Sequence, residues 1–570
     1  MFFCFHRTPA DNQPCRIIED SGRGRPVQVD RNVLYLHPGK QRVTRYHAED
    51  KVELWIMGDP VGQLTSGRLP VTAAGDIDLE RLYEQIPGHY YWFLVSEHHF
   101  SCGSSFGAIY PVYYYREGQE GWVSSSSLFL SEQLHLTADD RRNLLERLVF
   151  NYPLFDSTWW SAIKLLPAQA RWEWRGMEWS IKKGLDVSQY LGQPEYSDKS
   201  HLDRLVQQFM DGCQSFFPGE KFGISFTGGF DGRTLVGVAR HQNQSFFAYS
   251  FGESRSTDIL FPQAQSEALG IDYQPIVLDD EYLEQHAVGS ARQFMELSEY
   301  NGNIGRPHYL YSAVALSERT DYMVTGNFGS ELFRALHLPG MMMTSQLLDV
   351  FSSPDSAWQE RLKAKVRAWS GEVYLRECDE LIEDLYEYLQ NSGLKGNQRF
   401  YRFVYEELFR KYFGPEMLVQ SAFLNNRTPF LNYSFIRELN QTIWSGVHRP
   451  LFEDKRYKRM VGQYFYAKVL QAADAQLYRL PTTKGYAPAD VNETWRKPLL
   501  LARFLQHRFS KNDQCDGNLM NEFVPLFSTE NPALPLPGIV RKEKSMTRSE
   551  YINWLSIAYG YAGTRQYQFV

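Results

Sequence analysis

Strand-like and helix-like segments alternate through the middle of this chain, and that alternation predicts an α/β protein built on a doubly wound parallel sheet. Two further observations complete the prediction. The front of the chain is a series of short β-branched and aromatic runs, and the stretch after about residue 345 carries long amphipathic helical patterns. With 570 residues, and roughly 100–200 residues per domain, two to four domains are expected.

The front runs are Asn32 to Leu36, Val52 to Met57, Tyr90 to Val95 and Val112 to Tyr115, separated by Gly, Pro and Asp. Thr137 to Leu148 reads as a helix capped by Thr137 or Asp139, and Trp172 to Ile181 returns to strand-like alternation. A mostly β domain is therefore expected over residues 1–192, a linker over Gln193 to Lys199, and a second domain over 200–570. In the second domain His201 to Phe216 is a helix, followed by strands at Phe222 to Phe226, Ser245 to Phe251, Tyr273 to Val277 and Asp321 to Thr325. Helices are predicted at Arg233 to His241 and at Ile259 to Leu269, the latter ending on Gly270. Further helices are predicted at Leu375 to Leu389, Asn397 to Tyr412 and Lys455 to Ala473. In such a sheet ligands bind at the carboxyl ends of the strands.

Composition excludes several classes. A net charge of −7 gives no electrostatic basis for nucleic acid as a partner. No uncharged apolar run of 18 residues is present, so no membrane partner is expected. The six cysteines are scattered without CxxC spacing, which fits neither a zinc site nor a disulfide framework and suits a cytoplasmic protein. The start is too short and too charged for a signal peptide.

The segment that carries chemistry runs from Phe222 to Ala239, where a strand enters Thr227-Gly-Gly and then a helix. Gly228 and Gly229 let the backbone bend tightly and approach an anion. The N–H groups opening the helix then cradle phosphate, and Thr227 adds a hydroxyl. Asp231 does not favour a bare phosphate, so it points to a Mg²⁺ bridging carboxylate and phosphate. Arg233 offers a fork to phosphate or carboxylate, and stands as a partial replacement for metal charge. The loop is neither GxxxxGK[ST] nor GxGxxG, which weakens a Walker-type or Rossmann reading.

Thr227-Gly-Gly-Phe-Asp-Gly-Arg233 resembles the SGGxDS pyrophosphate loop of the asparagine synthetase family. Three more segments follow in the family's order. Thr325-Gly-Asn-Phe-Gly-Ser-Glu-Leu-Phe333 resembles SGEGSDEVF, Asn426-Arg-Thr-Pro-Phe-Leu-Asn432 resembles RxPFLD, and Leu480-Pro-Thr-Thr-Lys-Gly-Tyr-Ala-Pro488 resembles PKxGFxxP. At the front, Phe106 to Tyr114 and Phe155 to Pro167 are similar to segments of that family's glutaminase domain. The resemblance implies an Ntn-type glutaminase-like α+β sandwich followed by an ATP-pyrophosphatase domain with a helical C-terminal part.

The activity so implied uses ATP and Mg²⁺. A substrate carboxylate attacks the α-phosphorus, pyrophosphate leaves, and an amine or ammonia displaces AMP to give an amide. By resemblance Thr227, Gly228, Gly229, Asp231, Gly232 and Arg233 hold the phosphates and Asp231 holds the metal. Tyr249 and Gly326 border the nucleotide, and Lys484 neutralises the leaving group. Asp231, Lys484 and Glu331 form the implied catalytic set. Asp258 is a helix cap or a ligand.

The chain departs from the family pattern in informative ways. Asn327 stands where an acidic residue usually serves as base, and Ser330 where an Asp usually ligates Mg²⁺. Phe2 occupies the position where a glutaminase needs a terminal cysteine, and Cys4 is followed by Phe-His rather than Gly-Ile. No glutamine hydrolysis is expected, and Cys4 reads as a packing residue. The resulting expectation is an AMP-forming amide ligase acting on a small-molecule or peptide carboxylate and an amine. β-Lactam synthetases, lasso-peptide cyclases and sugar-acid amidating proteins are the comparable branches. The rival expectation is a catalytically degenerate nucleotide-binding scaffold of the same fold. A homodimer is compatible with either.

Overall fold

The computed structural model describes residues 1–7, 25–29, 32–47, 52–64, 69–118, 120–176, 178–333, 342–353, 356–448, 461–509, 519–530, 536–538 and 546–566. The described residues form a mixed α/β protein with three sheets, one of them parallel.

Two six-stranded antiparallel sheets form the front. One is ordered Lys164–Leu165, Tyr113–Glu117, Glu120–Ser124, Phe2–Arg7, Asn32–His37, Arg25–Val29. The other is ordered Glu178–Lys183, Ala170–Arg175, His99–Ser104, Gly88–Ser96, Glu53–Pro60, Arg42–His47. The period-two alternation of Phe-Phe-Cys-Phe decides how the first strand packs. Phe3 meets Tyr91 and Phe93 edge-on with ring centroids 4.9 Å apart, and Phe5 stacks on Phe100 at 4.1 Å. Cys4 points to the other face, between partners Tyr35 and Ser124, and is fully buried, as expected of a packing residue.

The helix expected from Thr137 runs instead from Arg141 to Phe150, and its cap is neither Thr137 nor Asp139. The Asp140 carboxylate accepts from Asn143 N at 2.9 Å, satisfying one of the orphan N–H groups of the first turn. Asp139 is used elsewhere, accepting from the backbone and hydroxyl of Ser161. The alternating stretch from Trp172 forms two paired antiparallel strands.

The parallel sheet comprises β1 (Phe222–Ser225), β2 (Phe246–Gly252), β3 (Tyr273–Val277), β4 (Tyr322–Val324) and β5 (Asn425–Arg427), in the order β3-β2-β1-β4-β5. The chain steps outward from β1 to β3 on one side and returns to pair β4 on the other. The crevice outside the carboxyl ends of β1 and β4 is therefore the topological switch point. Helices α1 (Asp231–His241), α2 (Thr257–Leu269) and α3 (Pro307–Ser317) connect the strands. Gly270 ends α2 with φ +66°, the left-handed conformation expected there. Asp258 lies in the first turn of α2, one residue past Thr257 and beyond the cap position, which Ser256 holds.

After β4 come the short α4 (Gly329–Phe333) and a largely helical remainder. The predicted Asn397 to Tyr412 helix is regular only to Phe403; Val404–Phe413 is π-helical and passes into α5 (Gly414–Gln420). α6 (Val461–Ala473) is the described part of the Lys455 to Ala473 prediction, whose first six residues lie outside the described residues. Arg427 on β5 ties the parallel sheet to the front: its Nε and a terminal nitrogen donate to the two Asp59 oxygens at 2.7 and 2.9 Å.

Candidate functional site

β1 is short because its fifth residue leaves the sheet: Phe226 N still donates to Tyr249 O, and Thr227 begins the loop. The loop ends at Phe230, which precedes α1 without a side-chain cap. The first amides of α1 thus lack the usual side-chain acceptor, and the positive end of the helix faces the crevice. Glycine is required here by space. A Cβ on Gly232 would meet Ser225 O at 2.1 Å, and one on Gly228 would meet the Thr483 methyl at 1.8 Å.

The loop separates two clefts. The first, about 750 Å³ with its open mouth, is lined by Thr227, Asp231, Gly232, Tyr249, Gly326, Asn327 and Glu416 among others. The second, about 570 Å³, includes Gly228, Gly229, Asp231, Ser330, Tyr466 and Lys484 in its lining. Asp231 is the residue common to both. Its Oδ2 accepts from Ser330 Oγ at 2.8 Å, and its Oδ1 accepts from the Tyr466 hydroxyl. The close approach that permits this depends on glycine again: a Cβ on Gly326 would lie 2.6 Å from Asp231 Cβ, and one on Gly329 2.7 Å from Asp231 Oδ1.

Lys484 reaches the second cleft on a turn stitched to the glycine loop. Thr483 donates from both its N and its Oγ1 to Gly228 O, each at 3.2 Å. Gly485 adopts φ +83°, and Thr482 N and Oγ1 both donate to Tyr486 O at 2.8 Å, closing the turn.

Two expected site residues stand elsewhere. Arg233 lines neither cleft and is wholly buried. Position three of α1 turns its side chain away from the loop and into the C-terminal part. There its guanidinium donates to the carbonyls of Leu477, Leu480 and Pro481 and to Gln265 Oε1, at 2.8–3.3 Å. Burial brings its pKa down to about 10. It pins the segment leading to Lys484 instead of contacting phosphate. Glu331 also lines neither cleft: it is buried on α4, where its carbonyl accepts from the Tyr401 hydroxyl at 2.8 Å.

The carboxylate missed by sequence reading is Glu416. It lies in the first turn of α5, buried, with its carboxyl lining the first cleft beside Asn327. Arg306 donates to its Oε2 at 2.5 Å. Burial pushes this carboxyl above the usual carboxylate range, against the opposing pull of Arg306, Asn327 and Gln420. No motif marks it; the sole sequence signal is an acid in an otherwise apolar helical turn. Phe328 presents Asn327 toward it through a left-handed backbone, φ +70°, held by contacts of its ring with Phe409 and Phe413 at 4.7 Å each.

The donors present fit a polyphosphate and one divalent cation. The uncapped α1 terminus and the glycine cradle, with Thr227 and Lys484 as donors, suit the phosphates, and Asp231 is the carboxylate among the described residues that lines both clefts. Each Asp231 oxygen already accepts one hydroxyl and keeps a second lone pair for a metal.

No protein-family model matches the chain, and no curated protein matches it.

Proposed function

We propose that this protein is an ATP-dependent, AMP-forming amide ligase, with an Ntn-like front domain over residues 1–192 that does not hydrolyse glutamine and an ATP-pyrophosphatase-like domain over 200–570. The observation that carries the reading is Asp231, set between a cleft holding Lys484 and a cleft holding Glu416. ATP supplies the leaving pyrophosphate. The glycine loop and the α1 terminus bind the phosphates, and Lys484 offsets charge developing on them. Asp231 would hold Mg²⁺, whose charge screens the phosphate oxygens. Tyr249, in the middle of β2, and Gly326, just past the end of β4, line the first cleft and would border the nucleoside.

Glu416 takes the role that Asn327 lacks. A buried carboxyl with a raised pKa beside the reaction crevice is suited to hold an amine and accept its proton as the amide forms. Its proton is released later to solvent. The nucleophile is thus an amine or ammonia arriving from outside, and the acid partner is a small-molecule or peptide carboxylate. The decisive product test is separation of nucleotides after incubation with ATP, Mg²⁺ and candidate acid–amine pairs. AMP and pyrophosphate in equal amounts support the reading; ADP and phosphate, or no nucleotide turnover alongside tight ATP binding, favour the degenerate scaffold.

A further inference from the structure

Lys411 is a buried amine on the π-helical stretch Val404–Phe413, and the fold makes little use of it. Its Nζ donates to Phe155 O at 3.1 Å, but that carbonyl already accepts from Arg410 at 2.9 Å. Among the described residues no carboxylate forms an ion pair with it: Glu407 is paired with Arg410, and Glu146 with Arg142. An ammonium buried without an anion is costly, so such a group sheds its proton instead. Lys411 also lines two cavities at once. The smaller, about 380 Å³ with its mouth, is lined by Arg306 and Glu416 as well, and Glu416 also lines the first cleft. The larger, about 540 Å³ with its mouth, reaches Tyr113 and Trp159 of the front part of the chain. Asn301 lines both cavities and Asn303 the smaller, so water there finds polar partners. The order is therefore first cleft, Glu416, smaller cavity, Lys411, larger cavity.

The charges around these two groups push them in opposite directions. Burial lowers the pKa of Lys411, and Arg410 on its own helix and Arg147 on the helix Arg141–Phe150 add to the effect, against Glu407 and Glu146. Burial raises the pKa of Glu416, against the pull of Arg306, Asn327 and Gln420. An acid that holds its proton unusually well thus shares a cavity with an amine that holds its proton unusually poorly, and a proton moves between such groups at little cost.

We propose that Lys411 is the proton-relay residue of the amide-forming step, receiving through water in the smaller cavity the proton that Glu416 takes from the attacking amine, and giving it up on the side of the larger cavity. This rests on the ligase reading with Glu416 as base. As the C–N bond forms and AMP leaves, an N–H bond of the amine breaks and its proton goes to the Glu416 carboxylate. The Glu416 O–H bond then breaks as an N–H bond forms on Lys411, and the ammonium loses that proton to water, so both groups end each turnover as they began it. No electrons are transferred.

The test compares the full chain with Lys411→Met and Lys411→Arg. Stability comes first, because it needs no substrate. A buried, uncharged amine makes the fold less stable as pH falls, so Lys411→Met should melt at or above the parent, with a gap that widens between about pH 9.5 and about pH 7. Activity is then measured in two halves, using an acid that supports pyrophosphate exchange and ammonium chloride as nucleophile. Exchange, which needs no base, should stay within about twofold of the parent in both variants, while single-turnover amide formation should slow about tenfold or more with a larger solvent deuterium isotope effect. Arginine keeps the charge and the donors but does not release a proton, so Lys411→Arg should not restore the rate. Amide formation at the parental rate in Lys411→Met, its rescue by arginine, a stability gap that does not widen, or loss of exchange together with amide formation would each overturn the relay. Absence of exchange in the parent would instead overturn the ligase reading, and the relay with it.

Discussion

Ser330 donates a 2.8 Å hydrogen bond from its Oγ to Oδ2 of Asp231. The Ser330 hydroxyl thereby orients the carboxylate that is proposed to hold Mg²⁺. With Tyr466 on the other oxygen, the carboxylate is fixed between the two clefts. Ser330→Ala should lower stability by about 1 kcal/mol, the usual loss for one hydrogen bond, with a modest fall in turnover. Ser330→Asp should tighten Mg²⁺ binding. Denaturant unfolding and Mg²⁺ titration of turnover check both; no change in the Mg²⁺ requirement of Ser330→Asp would contradict this geometry.

Arg233 holds the 477–481 segment by three hydrogen bonds and Gln265 of α2 by a fourth, turned away from both clefts. Arg233→Ala leaves buried carbonyls without donors and opens a cavity, so a loss of about 3 kcal/mol or more is expected by urea unfolding. Proteolysis should speed up near Lys484, while ATP affinity in the folded fraction changes little. A variant with parental stability and lost ATP binding would instead place the guanidinium on phosphate.

Glu416 gives a pH prediction. Its carboxyl is raised, so the folded state holds that proton more tightly than the unfolded chain. The group's contribution to stability is full below the ordinary carboxylate range and is lost as pH rises through the raised folded value. As a base it must be ionised, so turnover should rise with pH above the ordinary carboxylate range. Glu416→Gln should remove both the acid limb of the rate profile and that part of the stability slope. A pH–rate profile and unfolding at about pH 5 and about pH 8 measure the two. An acid limb unchanged in Glu416→Gln would assign the base elsewhere.

Gly326 lies against Asp231 through its missing side chain. Gly326→Ala should displace the Asp231 carboxylate and depress turnover far more than stability, since the neighbouring loop can shift at a cost of about 1–3 kcal/mol. Equal activity in the alanine variant would show that Asp231 tolerates movement.

Four of the five parallel strands were legible as short β-branched and aromatic runs, whereas β5, the polar Asn425–Arg427, was not. Phe222 to Phe226 and Tyr273 to Val277 could be placed to within a residue. Side-chain direction was not legible. Arg233 sits two residues after Asp231, yet on a helix that separation turns it to a different face, and only the packing of residues 477–481 shows where it goes. Glu416 was hidden because its value depends on Arg306 and on the turn at Phe328, both distant in sequence. The π-helical turn at Val404–Phe413 has the same apolar period as a regular helix, so pattern alone extends the helix through it.

The central claim is that the Asp231–Lys484 pair of clefts activates a carboxylate with ATP. Exchange of labelled pyrophosphate into ATP, with Mg²⁺ and a panel of acids, tests it most directly. The account predicts exchange that depends on one acid, falls about 10²–10³-fold in Lys484→Ala and vanishes in Asp231→Ala, with both variants folded. Exchange that persists undiminished in both variants, or ATP bound tightly with no exchange for any acid, would contradict it.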